Sequence, residues 1–121
     1  MEEKTTLVLG ASSKMNRFSN LAIRSLILHG HPVIAVGLRE DEVHGIKIQK
    51  PFPEFRDIHT VTLYIGPKNQ PGYYDYILKI NPERVIFNPG TENEIFEEML
   101  REKGVRVVEG CTLIMLSNGT Y

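Results

Sequence analysis

Residues 5–17 run Thr5-Thr6-Leu7-Val8-Leu9-Gly10-Ala11-Ser12-Ser13-Lys14-Met15-Asn16-Arg17, and their reading decides the fold. Thr5 to Leu9 is apolar and β-branched, the composition of a short buried strand. Gly10 ends it, because glycine alone turns tightly and lets another backbone approach closely. Ala11, Ser12 and Ser13 are small, so they leave main-chain amides and two hydroxyls uncovered. A helix is expected to start at Phe18. A strand, a glycine turn and a helix start in succession place unpaired N–H groups beside a partial positive charge, which favours phosphate oxygens by about 0.3–1 kcal/mol per charge. Lys14 and Arg17 add a mobile and a forked cation. The alternative is an ordinary strand-to-helix turn with solvated basic residues. The loop is neither G-x-G-x-x-G nor G-x-x-x-x-G-K-[ST], which disfavours a P-loop kinase or ATPase.

Outward from this loop, apolar strand-like runs alternate with helical ones. Phe18 to His29 carries Phe18, Leu21, Ala22 and Leu26 on one stripe, and Gly30 stops it. Val33 to Val36 is a second strand, closed by Gly37. Leu38 to Phe55 is polar, with Gly45, Pro51 and Pro53, and reads as a connection with one short strand at Ile46 to Ile48. Val61 to Ile65 is a third main strand, followed by Gly66-Pro67 and a helix from about Gln70 to Lys79. Asn81-Pro82 breaks that helix, and Val85 to Phe87 is a fourth strand. Thr91 with Glu94 forms a capping-box pattern before an amphipathic helix containing Ile95, Phe96, Met99 and Leu100. Val105 to Val108 is a fifth strand, and Cys111 to Leu116 a last short helix. Strands apolar on both faces and alternating with helices predict an α/β domain over residues 1–121, with a doubly wound, Rossmann-like parallel sheet of about five strands. The expected strand order is 3-2-1-4-5 with helices on both faces, and a ligand is expected beyond the carboxyl ends of the strands.

The residues after each strand are therefore the candidate site. Strand 1 supplies Gly10, Ala11, Ser12, Ser13, Lys14 and Arg17. Strand 2 supplies Val36, Gly37 and Arg39; no acid stands at 37 or 38 for ribose hydroxyls, and Arg39 faces either a ribose phosphate or solvent. Strand 3 supplies Tyr64, Ile65 and Gly66, with Tyr64 divided between the site and the core. Strand 4 supplies Asn88, Pro89 and Gly90, with the Asn88 carboxamide offered to a ligand amide. Cys111 follows strand 5, where a helix start lowers a thiol pKa; its other reading is a buried small hydrophobe.

Taken together, Gly10-Ala11-Ser12, Arg17 and Ser19, the Gly30 stop, the Gly104-Val105 step and Cys111 resemble the stand-alone coenzyme A-binding proteins, a family related to the first domain of the succinyl-CoA synthetase alpha chain. The resemblance implies a module that binds coenzyme A or an acyl-CoA. It implies that Ser12 and Arg17 hold the diphosphate and that Val36 and Gly37 flank the adenosine. Tyr64, Ile65, Pro89 and Gly90 would line the pantetheine path. Apart from the resemblance, a reactive Cys111 would be placed to meet the CoA thiol in a mixed disulfide. The sequence departs from the family's habit of Asn-Pro after strand 2, where Gly37-Leu38 stands, and of Arg-Pro after strand 3, where Gly66-Pro67 stands. The alternative reading is an NADP-binding oxidoreductase-like or redox-sensing protein, in which Arg39 would meet a 2′-phosphate. The missing second glycine and the absence of room for a substrate domain disfavour it. A subunit of an acyl-CoA synthetase would need a phosphorylatable histidine in a further domain.

Composition narrows the classes further. A net charge of -1 provides no field for nucleic acid or an anionic membrane. No apolar run reaches the length of a membrane span. The polar start is unlike a signal peptide, and a single cysteine leaves no internal disulfide, so a cytoplasmic setting is expected. No catalytic set and no metal site is apparent among the four histidines. A protein partner or a homo-oligomer stays open.

Overall fold

The computed structural model describes residues 3–121. Its elements are β1 (Thr6–Leu9), α1 (Phe18–Leu28), β2 (Val33–Val36), β3 (Asp41–Val43), β4 (Ile46–Gln49), β5 (Thr60–Leu63), α2 (Tyr74–Ile80), β6 (Arg84–Phe87), α3 (Glu94–Glu102), β7 (Arg106–Glu109) and α4 (Thr112–Asn118). Two 3-10 turns, Pro67–Asn69 and Pro71–Tyr73, lead into α2.

The strands form one sheet in the order β3-β4-β2-β1-β5-β6-β7. All pairs are parallel except β3 with β4. This corrects the expected five-strand order 3-2-1-4-5. The strand at residues 60–63 lies beside β1, and β4 holds the place outside β2. The chain leaves β2, crosses to the edge as β3, and returns through His44-Gly45 as β4. That hairpin carries two buried apolar residues, Val43 and Ile48, between exposed charges. The direction of winding changes between β1 and β5, so the crevice expected of such sheets opens there.

Alternation along the strands sends side chains to two cores. Leu7, Leu9, Val61, Leu63, Val85 and Phe87 meet Ile77 of α2 and Phe96 and Leu100 of α3. Val8, Ala35, Ile48 and Ile86 meet Ile23 and Leu26 of α1 and Leu116 of α4. Both faces of the sheet are thus covered by helices, as expected. The start of α3 differs from expectation. Its N-cap is Asn93, whose Oδ1 accepts the Phe96 N–H at 3.1 Å while Glu97 accepts the Asn93 N–H at 2.9 Å. Thr91 lies two residues before the cap, and its hydroxyl donates to Asn88 O at 2.8 Å.

At the amino edge of the sheet, the Tyr121 ring lies 4.4 Å from the Arg84 guanidinium and 4.9 Å from the His31 ring. His31 is buried, and its Nδ1 accepts the Lys4 N–H at 3.0 Å. Burial first, then the Lys4 charge, hold its pKa below the ordinary 6.5. A histidine with a depressed folded pKa contributes stability above 6.5, and that stability is lost as pH falls through the folded value. Protonation also replaces the Nδ1 acceptor with a second donor. The thermal midpoint is therefore expected to drop by several degrees from pH 7 to pH 5, with His31→Gln flattening the profile. An imidazole titration by NMR with a His31 midpoint above 6.5 would contradict this.

Candidate functional site

The loop after β1 is fixed from beneath. The N–H groups of Gly10 and Ala11 both donate to Val36 O, at 2.9 and 3.0 Å. Gly10 has φ +93°, and a Cβ there would lie 2.9 Å from both Tyr64 O and Ile65 Cγ2. Gly37 serves the same loop, since a Cβ there would lie 2.4 Å from Ala11 O. The Ser12 Oγ accepts the Lys14 N–H at 3.1 Å. The residue preceding α1, Arg17, gives the helix no side-chain cap, and its first turn holds no acid. The N–H groups of Phe18 and Ser19 therefore lack intrahelical acceptors. Among the described residues, the N–H groups of Ser12 and Ser13 have no backbone partner either.

Around this loop lies a groove of about 590 Å³, a size typical of small-molecule sites. Its first wall is the loop itself with Arg17, Phe18 and Ser19. A second side carries Leu38, Arg39, Asp41 and Ile48. The third is built from Tyr64, Ile65 and Gly66 after β5 and Pro89, Gly90 and Thr91 after β6. Gln70, 1% exposed, braces this third wall. Its Nε2 donates to Ile65 O at 3.0 Å and Thr91 O at 2.7 Å, and its Oε1 accepts from Asn93 Nδ2 at 2.9 Å.

Charge in the groove is uneven. Lys14, Arg17 and Arg39 line it, and none forms an ion pair among the described residues. Asp41 is the one acid of the lining. The Ser13 hydroxyl, then the Glu42 N–H, hold its carboxyl below the usual carboxylate range, so it is ionised at neutral pH. Tyr64 divides as the sequence allowed: it borders the groove and also packs in the core beside α1 and α4. Its hydroxyl is buried without a hydrogen-bond partner, and burial pushes its pKa up to about 12.

Of the residues expected at the site, Gly10, Ala11, Ser12, Ser13, Lys14, Arg17, Arg39, Tyr64, Ile65, Gly66, Pro89 and Gly90 meet in this groove. Val36, Gly37, Asn88 and Cys111 are outside its lining. Val36 and Gly37 instead form the floor under the loop after β1. The Asn88 carboxamide is spent internally, on Thr62 Oγ1, Leu63 O and the Thr112 N–H. Cys111 is half-buried and precedes α4. Asp41, Ile48 and Thr91 were not foreseen, and neither was a wall formed by Phe18 and Leu38. Those two side chains are 70% and 82% exposed. A large apolar residue opening the first helix and another just after β2, beside otherwise polar loops, were the available signal.

Among the described residues, no helix is long and apolar enough to cross a membrane. Among the described residues, no three His, Cys, Asp or Glu side chains gather as metal ligands.

A family model for a CoA binding domain matches residues 4–117. The fold is similar over its whole length to the crystal structure of an uncharacterized protein, with 51% identity, a TM-score of 0.97 and full coverage of both chains. A hypothetical protein from Pyrococcus horikoshii OT3 is 27% identical with a TM-score of 0.85, over 97% of this chain and 84% of that one. A dinucleotide forming acetyl-coenzyme A synthetase 1 from Ca. Korarchaeum cryptofilum, in complex with phosphate and ADP, shares the fold at 20% identity and a TM-score of 0.68. The match covers 89% of this chain and 26% of the synthetase. No curated protein matches.

Proposed function

The chain belongs to the CoA-binding domain family, and from that premise we propose that it is a single-domain module binding coenzyme A or an acyl-CoA in the groove at the carboxyl ends of β1, β2, β5 and β6. The observation that carries this reading is the joining of unpaired loop amides, three unpaired cations and an apolar path in one groove. The Ser12 and Ser13 N–H groups and the start of α1 receive the diphosphate, with Lys14 and Arg17 balancing its charge. Arg39 takes the ribose phosphate, and Leu38 covers the base. Tyr64, Ile65, Gly66, Pro89 and Gly90 flank the uncharged pantetheine arm, where apolar walls suffice.

Thermal unfolding with CoA, acetyl-CoA, ADP, NAD and NADP tests the reading. A ligand at a hundredfold excess over its dissociation constant adds about 2.7 kcal/mol of stability. CoA is expected to raise the midpoint, and Arg17→Ala to remove most of that rise while leaving the ligand-free midpoint in place, because Arg17 is exposed. A rise with NADP and none with CoA would establish the oxidoreductase-like alternative instead.

Asp41 makes a second expectation. A carboxylate facing the same groove as a polyanionic ligand opposes its approach, weakly because the group is exposed to salt and water. Asp41→Asn is expected to tighten CoA binding about threefold at low ionic strength, with the gain fading in high salt. Weaker binding would mean that Asp41 accepts hydrogen bonds from the ligand.

A further inference from the structure

We infer that His44, at the tip of the β3–β4 hairpin, is a positioning residue that sets the phosphate-facing loop through Asn20; this rests on the binding reading above. Asn20 lies in the first turn of α1 and is 3% exposed. A buried carboxamide requires partners for both ends. Its Nδ2 donates to Ser12 O at 3.2 Å, and its Oδ1 lies 2.7 Å from His44 Nε2.

The direction of this chain follows from chemistry. Ser12 O is a carbonyl and only accepts, so the nitrogen end of Asn20 must face it. The oxygen end then faces His44, which must present a hydrogen on Nε2. Neutral imidazole with the proton on Nε2 satisfies this, and so does imidazolium, so the link survives protonation. Ser12 O belongs to the peptide that carries the Ser13 N–H. Fixing that carbonyl fixes the plane of the peptide and the direction of the amide offered to phosphate.

The backbone at the tip supports a role beyond turning. His44 has φ +50° and Gly45 φ +83°, the two left-handed positions of a tight hairpin, for which Asn-Gly is the best fit. Asparagine at this position would suit the turn better, but it is shorter than histidine by most of a ring. His44 is exposed, and among the described residues its side chain makes no other hydrogen bond.

The experiment compares wild type, His44→Gly, Asn20→Ala and the double variant. Glycine suits the φ of the turn, so His44→Gly is expected to fold normally. Backbone ¹⁵N relaxation in the ligand-free protein is expected to show N–H order parameters of residues 12–14 falling from about 0.85 toward 0.6. ADP affinity is expected to fall about five- to tenfold, the worth of about one hydrogen bond. Affinity for adenosine, which has no phosphate, is expected to be unchanged. In the Asn20→Ala background, His44→Gly is expected to add nothing. Unchanged order parameters, or equal losses for ADP and adenosine, overturn the inference. If wild type binds neither CoA nor ADP, the binding reading fails, and the order parameters alone decide whether His44 positions the loop. Should Asn20→Ala fail to fold, the single His44→Gly comparison decides the matter.

Discussion

Asn88→Leu is expected to lower the stability of the fold by about 3 kcal/mol, a large fraction of the 5–15 kcal/mol that holds a typical domain. Asn88 is 2% exposed. Its Nδ2 donates to Thr62 Oγ1 at 2.7 Å and to Leu63 O at 2.8 Å, and its Oδ1 accepts the Thr112 N–H at 2.9 Å. Leucine keeps the volume and removes all three bonds. The Thr62 hydroxyl retains its bond to the Thr112 hydroxyl at 2.8 Å, so its loss is partial. The Thr112 N–H stands at the first position of α4, has no intrahelical acceptor and becomes an orphan. Each buried polar group left unsatisfied costs about 1–3 kcal/mol. Urea denaturation should show a lower midpoint with an unchanged slope. A loss below about 1 kcal/mol would mean that water or a neighbour replaces the carboxamide.

Gly37→Ala is expected to damage both stability and binding. The new Cβ would stand 2.4 Å from Ala11 O and 3.1 Å from Ile48 Cγ2. Ala11 cannot retreat freely, because its N–H and that of Gly10 share Val36 O. Either those bonds stretch or β4 shifts. Overpacking of this kind costs about 1–3 kcal/mol. The displaced peptide also carries the Ser12 N–H, one of the amides proposed to receive the diphosphate, so CoA affinity is expected to fall about tenfold or more, equivalent to about 1.4 kcal/mol. Gly72→Ala is the control: its Cβ meets nothing within 4 Å, so neither quantity should move. Equal behaviour of the two variants in calorimetric titration and thermal melts would disprove the account.

These two residues also show what was legible in the sequence. The loop from Gly10 to Arg17 was readable because its signals are local: an apolar strand, a glycine, small residues, then a helical stripe. The convergence of four strand ends followed from the general geometry of doubly wound sheets. The strand order was not readable. The short strand at Ile46 to Ile48 was legible and is β4, but β3 offers only Val43 as an apolar residue, too little to announce two paired strands outside β2. Without them the third main strand was assigned to the wrong side. Asn88 was read as a ligand contact because its true partners, Thr62, Leu63 and Thr112, are 24 to 26 residues away. The resemblance alone placed Gly37 beside adenosine; its close approach to Ala11 O is tertiary and had no local signal. The cap of α3 was displaced because Thr91 and Asn93 are both good cap residues, and the Asn93 side chain is the one that accepts a helix N–H.

The brace made by Gln70 gives the groove two mechanically different sides. One carboxamide ties the loop after β5 to the loop after β6 and to the cap of α3, so that side behaves as one rigid jaw. On the opposite side only Ile48 is buried, and Leu38, Arg39 and Asp41 stand exposed around it without a comparable brace. A ligand bound as proposed would lose little entropy against the first side and would have to order the second. Differences in affinity among nucleotides are expected to arise where the protein still has freedom to lose, and the arm that runs along the rigid jaw to be accepted or refused on shape alone.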